Sequence, residues 1–166
     1  MRNSTLCYIE RGGKWLMMHR VKKKNDINHD KWIGVGGGFE EGESPEECVR
    51  REVIEETGLV LCRIKYRGIV TFVSKPSQTD SQTALKTEYM HLFTSDDFSG
   101  DIPSADSCDE GQLEWVDKQK VYSLPIWEGD KLFLHKLEQD CPFFSMKLVY
   151  RGDELVEAVV DQVRIV

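Results

Sequence analysis

Gly37, Glu43, Arg51, Glu52, Glu55, Glu56 and Gly58 recur at fixed intervals inside the stretch GGFEEGESPEECVRREVIEETGL, which runs from Gly37 to Leu59. From Glu40 to Glu56 there are eight glutamates, opposed only by Arg50 and Arg51. At an effective dielectric of ~20, two unit charges ~4 Å apart repel by about 4 kcal/mol, so carboxylates gathered on one surface need a cation. Hard carboxylate oxygens, joined by a backbone carbonyl and water, suit Mg²⁺ or Mn²⁺ rather than Zn²⁺. The spacing leaves no His or Cys expected on that face.

A helix must do the gathering. Ser44 is a good N-cap, Pro45 fits the first helical position, and Glu47 completes a capping box, while Gly58 supplies a left-handed stop. The spacing predicts a helix over Pro45 to Thr57, on which Glu52, Glu55 and Glu56 share a narrow arc. Ahead of it, Gly34, Gly36, Gly37 and Gly38 let the backbone turn sharply and let a ligand approach peptide groups. Metal-binding acids beside a glycine loop point to phosphate, because a bridging metal neutralises a diphosphate, orients it and acidifies a water. The plainer alternative is a solvated face laced by Glu47–Arg51 or Arg51–Glu55 pairs. The glycines favour the metal site.

The pattern Gly37, five residues, Glu43, seven residues, Arg51-Glu52-Val53, one residue, Glu55-Glu56, one residue, Gly58-Leu59 resembles the complete signature of the Nudix hydrolases. That resemblance implies an α/β chain folded as an α/β/α sandwich with a mixed β-sheet, hydrolysing a nucleoside diphosphate linked to another moiety. It implies that Glu52, Glu55 and Glu56 hold metal with the Gly36 carbonyl, that Glu52 doubles as base for the attacking water, and that Glu43 and Arg51 orient the metal-binding glutamates. Members often take one more acid from a later loop. Cys108-Asp109-Glu110-Gly111-Gln112 resembles that loop and nominates Glu110.

Outside this box the chain is similar to the oxidised purine nucleoside triphosphatases of the MutT type, through Lys31-Trp32-Ile33-Gly34 and Leu124-Pro125-Ile126-Trp127-Glu128-Gly129-Asp130. The similarity implies that Trp127 stacks on a purine, Asp130 faces its hydrogen-bonding edge, and Arg20 meets phosphate beside Gly37 and Gly38. A core role for Trp127 stays equally open, and Phe72 is either a pocket wall or a core residue. Three positions depart from the mammalian pattern: Ile33 stands for a base-reading Asn, Gly129 for the first of two acids, and Gly38 for a frequent Lys. The implied reaction is Mg²⁺-dependent hydrolysis of a nucleoside triphosphate to monophosphate and pyrophosphate, with 8-oxo-dGTP the leading substrate, a nucleotide-pool and DNA repair task. ADP-ribose, a nucleotide sugar, or a non-catalytic nucleotide-sensing module are the alternatives.

Length and composition agree with one domain over 1–166, at 40% hydrophobic and 31% charged residues. A net charge of -7 argues against a nucleic-acid polymer or anionic membrane as partner and leaves a small-molecule nucleotide. Oligomeric state is not legible. Lys22-Lys23-Lys24 reads as a solvated loop. With no apolar run near ~20 residues and no signal-peptide core, a cytoplasmic location is expected. Cys7, Cys48, Cys62, Cys108 and Cys141, odd in number and without paired metal spacing, are expected as reduced thiols.

Hydrophobic periodicity predicts a hairpin of Leu6 to Glu10 and Lys14 to His19 around Gly12-Gly13. It predicts strands over Arg63 to Val73, Thr87 to Thr94 and Leu113 to Val116, with polar loops at Lys75 to Lys86 and Ser95 to Gly111. A second helix is expected over Gly129 to Gln139, burying Leu132, Phe133 and Leu137. A terminal hairpin of Phe143 to Tyr150 and Leu155 to Ile165 closes the chain.

Overall fold

Successive side chains of a strand face opposite ways, and here both ways lead into apolar clusters. In β1 (Arg2–Arg11), Leu6 and Tyr8 join one cluster and Cys7 and Ile9 the other. In β2 (Lys14–His19), Trp15 and Met17 join the first, Leu16 and Met18 the second. The remaining elements in chain order are β3 (Trp32–Ile33), α1 (Pro45–Thr57), β4 (Val60–Lys75), β5 (Lys86–Ser99), β6 (Gln112–Asp117), α2 (Lys118–Val121), α3 (Glu128–Glu138), β7 (Phe144–Arg151), β8 (Glu154–Val160) and β9 (Val163–Arg164). This computed structural model describes residues 1–76, 84–102, 104–106 and 108–166. Val49 and Val53 of α1 pack into the second cluster, while Phe133, Leu134 and Leu137 of α3 pack into the first. A sheet between two helical layers results, the expected α/β/α sandwich.

The strand order is β3-β2-β1-β5-β4-β7-β8-β9, with β6 paired to β2. β1 with β5 and β4 with β7 are parallel and the other pairs antiparallel, so the sheet is mixed. β1 meets β2 only at Glu10↔Trp15 and Arg11↔Lys14. Below that junction β2 diverges, and the glycine segment lies along β1 instead. The Thr5 amide donates to the Gly37 carbonyl at 2.8 Å, the Cys7 amide to Val35 at 2.7 Å, and the Val35 amide to Cys7 at 3.0 Å. A Cβ on Gly36 would stand 2.0 Å from the Thr5 carbonyl oxygen, so only glycine admits this contact.

Several boundaries differ from those expected. β1 starts at Arg2 and β5 runs to Ser99, because each is continued by pairing with a neighbour: β1 with β5 from Arg2↔Glu88 onward, β5 with β4 as far as Val60↔Ser99. The expected loop from Ser95 therefore begins later. β4 starts at Val60, and α2 has no counterpart in the expectation. Most of the expected loop between Lys75 and Lys86 lies outside the described residues. All five cysteines are free thiols. Among the described residues, no helix is long and apolar enough to cross a membrane.

Candidate active site

α1 is built as its sequence dictates. The Ser44 hydroxyl accepts from the Glu47 amide at 3.2 Å, the Glu47 carboxylate accepts from the Ser44 amide at 2.8 Å, and Gly58 closes the helix at φ 75°. Cys48, Val49 and Val53 are buried, which turns Glu52 and Glu56 toward the glycine segment.

Arg51 is the hub of the acid cluster. Its Nε and Nη2 grip the two oxygens of Glu43 at 2.6 and 2.8 Å. Nη1 donates to Glu52 at 2.7 Å and to Glu55 at 3.3 Å, and Nη2 donates to the Gly38 carbonyl at 3.0 Å. A guanidinium is suited to this because its planar fork presents five donors at once. The Arg51 fork, with help from the Glu40 amide, holds the Glu43 carboxyl down at about 2. Of the pairs open to Arg51, that with Glu55 forms; Glu47 is taken by the cap.

Glu56 is in the opposite situation. It is buried, and its Oε2 accepts from the Gly36 amide at 3.1 Å. Burial first, then the charges of Glu110 and Glu52, push its carboxyl up to about 9. Gly37 is pressed against Glu52, where an added Cβ would lie 2.4 Å from the carboxylate. Cys48 corrects the expectation that no thiol shares this face: one turn before Glu52, its Sγ lies 3.5 Å from the Gly38 carbonyl and 3.8 Å from Arg51. Burial raises that thiol's pKa.

Glu110 faces the cluster from the loop before β6 and is held by Arg20 and by the Lys23 ammonium at 2.7 Å. Arg20 also bonds Asp26 at 2.6 Å through Nε. Lys22 reaches the carbonyls of Asp106, at 2.8 Å, and Cys108. Lys22, Lys23 and Lys24 are exposed, as expected of a solvated run, and Lys22 and Lys23 also make long-range bonds that periodicity does not reveal. Among the described residues, no three His, Cys, Asp or Glu side chains already converge as a cation cage. Arg51 draws Glu52 and Glu55 aside, and Arg20 with Lys23 draws Glu110.

A cavity of about 720 Å³ takes Gly36, Gly37, Gly38, Glu52, Glu110 and Arg20 into one wall with Phe72, Met90, Ile33, Trp127 and Asp130. Glu43, Arg51, Glu55 and Glu56 do not line it. Trp127 is 4% exposed, packs in the core, and still lines the cavity. Its indole N–H donates to Asn28 at 2.8 Å and the Lys31 ammonium sits 4.8 Å above its ring. Phe72 meets Trp127 edge to face at 6.0 Å and likewise does both jobs. Asp130 is buried, and desolvation pushes its carboxyl up to about 8 against the pull of Lys31.

A family model for the NUDIX domain matches residues 1–137. The chain belongs to the Nudix hydrolases. It is 30% identical to the oxidized purine nucleoside triphosphate hydrolase of Danio rerio over 161 residues, 96% of this chain and 94% of that one. It is 29% identical to the ADP-ribose pyrophosphatase of Escherichia coli K12 over 99 residues, covering 58% of this chain and 45% of that one. Among solved structures, the mutator MutT protein from Bacillus halodurans superposes with a TM-score of 0.82 and 26% identity over 97% of this chain and 98% of that one. Nudix hydrolases act on nucleoside diphosphate derivatives and generally use divalent metal ions. In this Nudix hydrolase the contacts that sequence reasoning missed are those of Asp26, Asn28 and Lys31, all in the connection between β2 and β3, although Lys31 itself stands in a stretch that carried the resemblance. Nothing periodic marks them: Asp26 pairs with Arg20 six residues before it, while Asn28 and Lys31 meet Trp127 far along the chain.

Proposed function

We propose that this Nudix hydrolase cleaves a nucleoside triphosphate to the monophosphate and pyrophosphate, with Mg²⁺ as its ion (Mn²⁺ also suits) and an oxidised purine nucleotide, 8-oxo-dGTP first, as substrate. The observation that carries the reading is the single cavity that joins the glycine segment, Glu52 and Glu110 to a wall of Trp127, Phe72 and Asp130. Its volume falls in the range of roughly 300–1,000 Å³ usual for small-molecule sites.

The donor set fits a hard divalent cation. Burial first, then the charges of Glu110 and Glu52, raise the Glu56 carboxyl, and the oxygens of these three acids are the ligand type Mg²⁺ prefers. Glu52, Glu55, Glu56, Glu110 and the Gly36 carbonyl would hold the ion. When bound, it neutralises the diphosphate and acidifies a water. Glu52 would take one proton from the attacking water as the water oxygen bonds to phosphorus, the bridging P–O bond breaks and pyrophosphate leaves. Arg51 and Glu43 keep Glu52 in register through the bonds at 2.7, 2.6 and 2.8 Å. Arg20, lining the cavity, meets phosphate once it shares its fork with the substrate. Trp127 and Phe72 give the base an aromatic wall, and Asp130, neutral below about 8, both donates and accepts at its edge.

Domain extent over 1–166 and a cytoplasmic location belong to this same reading, as does a nucleotide rather than a polymer or membrane as partner. A second substrate, ADP-ribose, is favoured by one observation: Ile33 leaves the base wall without the Asn of the mammalian pattern, and an ADP-ribose pyrophosphatase is among the relatives. A panel of 8-oxo-dGTP, dGTP, dATP, ADP-ribose and nucleotide sugars, with released monophosphate, pyrophosphate and phosphate identified, tests the proposal. Preferred cleavage of 8-oxo-dGTP with release of pyrophosphate supports it. Cleavage of ADP-ribose alone overturns the substrate, and binding without hydrolysis at saturating Mg²⁺ overturns the enzyme.

A further inference from the structure

α3 begins at Trp127, whose indole has no oxygen with which to cap a helix, and no side-chain cap bond is made by that residue. The first-turn amides must find acceptors elsewhere. The Gly129 amide finds one on a distant strand: it donates to the Tyr150 hydroxyl of β7 at 2.7 Å, across 21 residues of sequence. Tyr150 is fully buried. Its ring stacks on Phe72 at 4.9 Å and 25° and meets Trp127 edge to face at 5.0 Å and 73°. One side chain outside the cavity therefore touches both aromatic residues of its wall and the helical turn that carries Asp130.

Position 129 is locked to position 150. A Cβ on Gly129 would lie 2.6 Å from the Tyr150 hydroxyl and 2.6 Å from a Leu148 methyl, so the space a side chain would need is already filled from β7. Gly129 stands beside Asp130 where the mammalian pattern has the first of two acids, and a side chain at 129 would meet both the Tyr150 hydroxyl and Leu148. A phenylalanine would fill the same ring volume; the hydroxyl is required only by the helix.

We propose that Tyr150 is a positioning residue for base recognition: its hydroxyl caps α3 at Gly129 while its ring fixes Trp127 and Phe72, so selectivity among bases is set from β7. This rests on the reading of the cavity wall as the nucleobase site. Tyr150→Phe removes the cap and leaves the rings. The expected result is a rise of about three- to tenfold in KM for base-bearing triphosphates, with kcat within about twofold, from the worth of one buried hydrogen bond. KM for a deoxyribose triphosphate lacking the base should not move, and the ratio of kcat/KM between 8-oxo-dGTP and dATP should shrink.

Unchanged KM and unchanged ratio in an active Tyr150→Phe enzyme overturn the proposal, as does an equal loss on base-bearing and base-free substrates, the mark of general loosening. Should that variant not fold, Gly129→Ala displaces the Tyr150 hydroxyl together with a Leu148 methyl, and the comparison of base-bearing with base-free substrate again separates loss of the wall from general loosening. A wild-type enzyme inert toward every nucleotide overturns the cavity reading itself, and this is told apart from a failure of Tyr150 alone by the wild-type measurement.

Discussion

Asp130→Asn should flatten the pH dependence of stability. The Asp130 carboxyl is 5% exposed and pushed from 3.8 to about 8, by desolvation first, with the Lys31 ammonium opposing. Tyr8 from β1 and Tyr150 from β7 also face it; both are raised, by burial first and by the charge of Asp130 second. A carboxyl raised on folding contributes stability that is fully present below 3.8 and is lost as the pH climbs toward about 8, because the native state holds a proton the unfolded chain has released. At 1.36 kcal/mol per pH unit, that window sets a ceiling of about 6 kcal/mol, about 4 of it between pH 5 and pH 8. Asparagine keeps the shape without the charge. Urea unfolding at pH 5, 6, 7, 8 and 9 should show the variant gaining on the wild type up to about pH 8 and running parallel above it. A gap between the two proteins that stays constant from pH 5 to pH 8 would refute the reasoning, for it would mean Asp130 is ionised in the fold and paired.

The other expectations concern the acid cluster. Glu56→Gln and Glu55→Gln should each lower turnover by about 100-fold or more with the thermal midpoint held, checked by initial rates and circular dichroism; near-wild-type rates in either count against the metal assignment. Arg51→Lys loses the fork that joins Glu43, Glu52 and the Gly38 carbonyl, so kcat should fall about 10- to 100-fold at every Mg²⁺ concentration. Gly36→Ala must push into the Thr5 carbonyl and should unfold at lower temperature, whereas Gly37→Ala meets only the Glu52 side chain and should cost activity more than stability. Chelation should abolish turnover, and added Mg²⁺ should restore it without a change in far-ultraviolet circular dichroism.

What could be read from the residues alone was what the chain settles locally. The start and stop of α1 came through because Ser44, Pro45, Glu47 and Gly58 act within one turn of themselves, and the shared face of Glu52 and Glu56 follows from helical pitch. The sandwich came through only by way of the family that the Gly37–Leu59 spacing resembles; in the structure, β1 and β2 build it by being apolar on both faces. Strand ends did not, since β1 gains Arg2 to Thr5 from its ladder with β5, not from its own pattern. The bonds made by the exposed Lys22 and Lys23 were not legible, because the carbonyls and carboxylate they hold are 84 to 87 residues away.

The same distinction explains why the cavity wall was only half legible. Trp127 and Asp130 stand together in one short segment, but what fixes them comes from elsewhere: Asn28 and Lys31 from the connection after β2, Phe72 from β4, Tyr150 from β7. A signature specifies groups that must meet a phosphate, whose shape is the same in every substrate. Groups that meet the variable part of the substrate are positioned by contacts between distant strands, where many pairs of residues give the same packing. Tyr150 with Gly129 is one such pair, and its trace in the sequence is an inward-facing tyrosine at the end of the alternation Phe144, Met146, Leu148, Tyr150. On the proposed assignment, the diphosphate end of the site is fixed by local spacing, and its base end by agreement between positions that only the folded chain brings together.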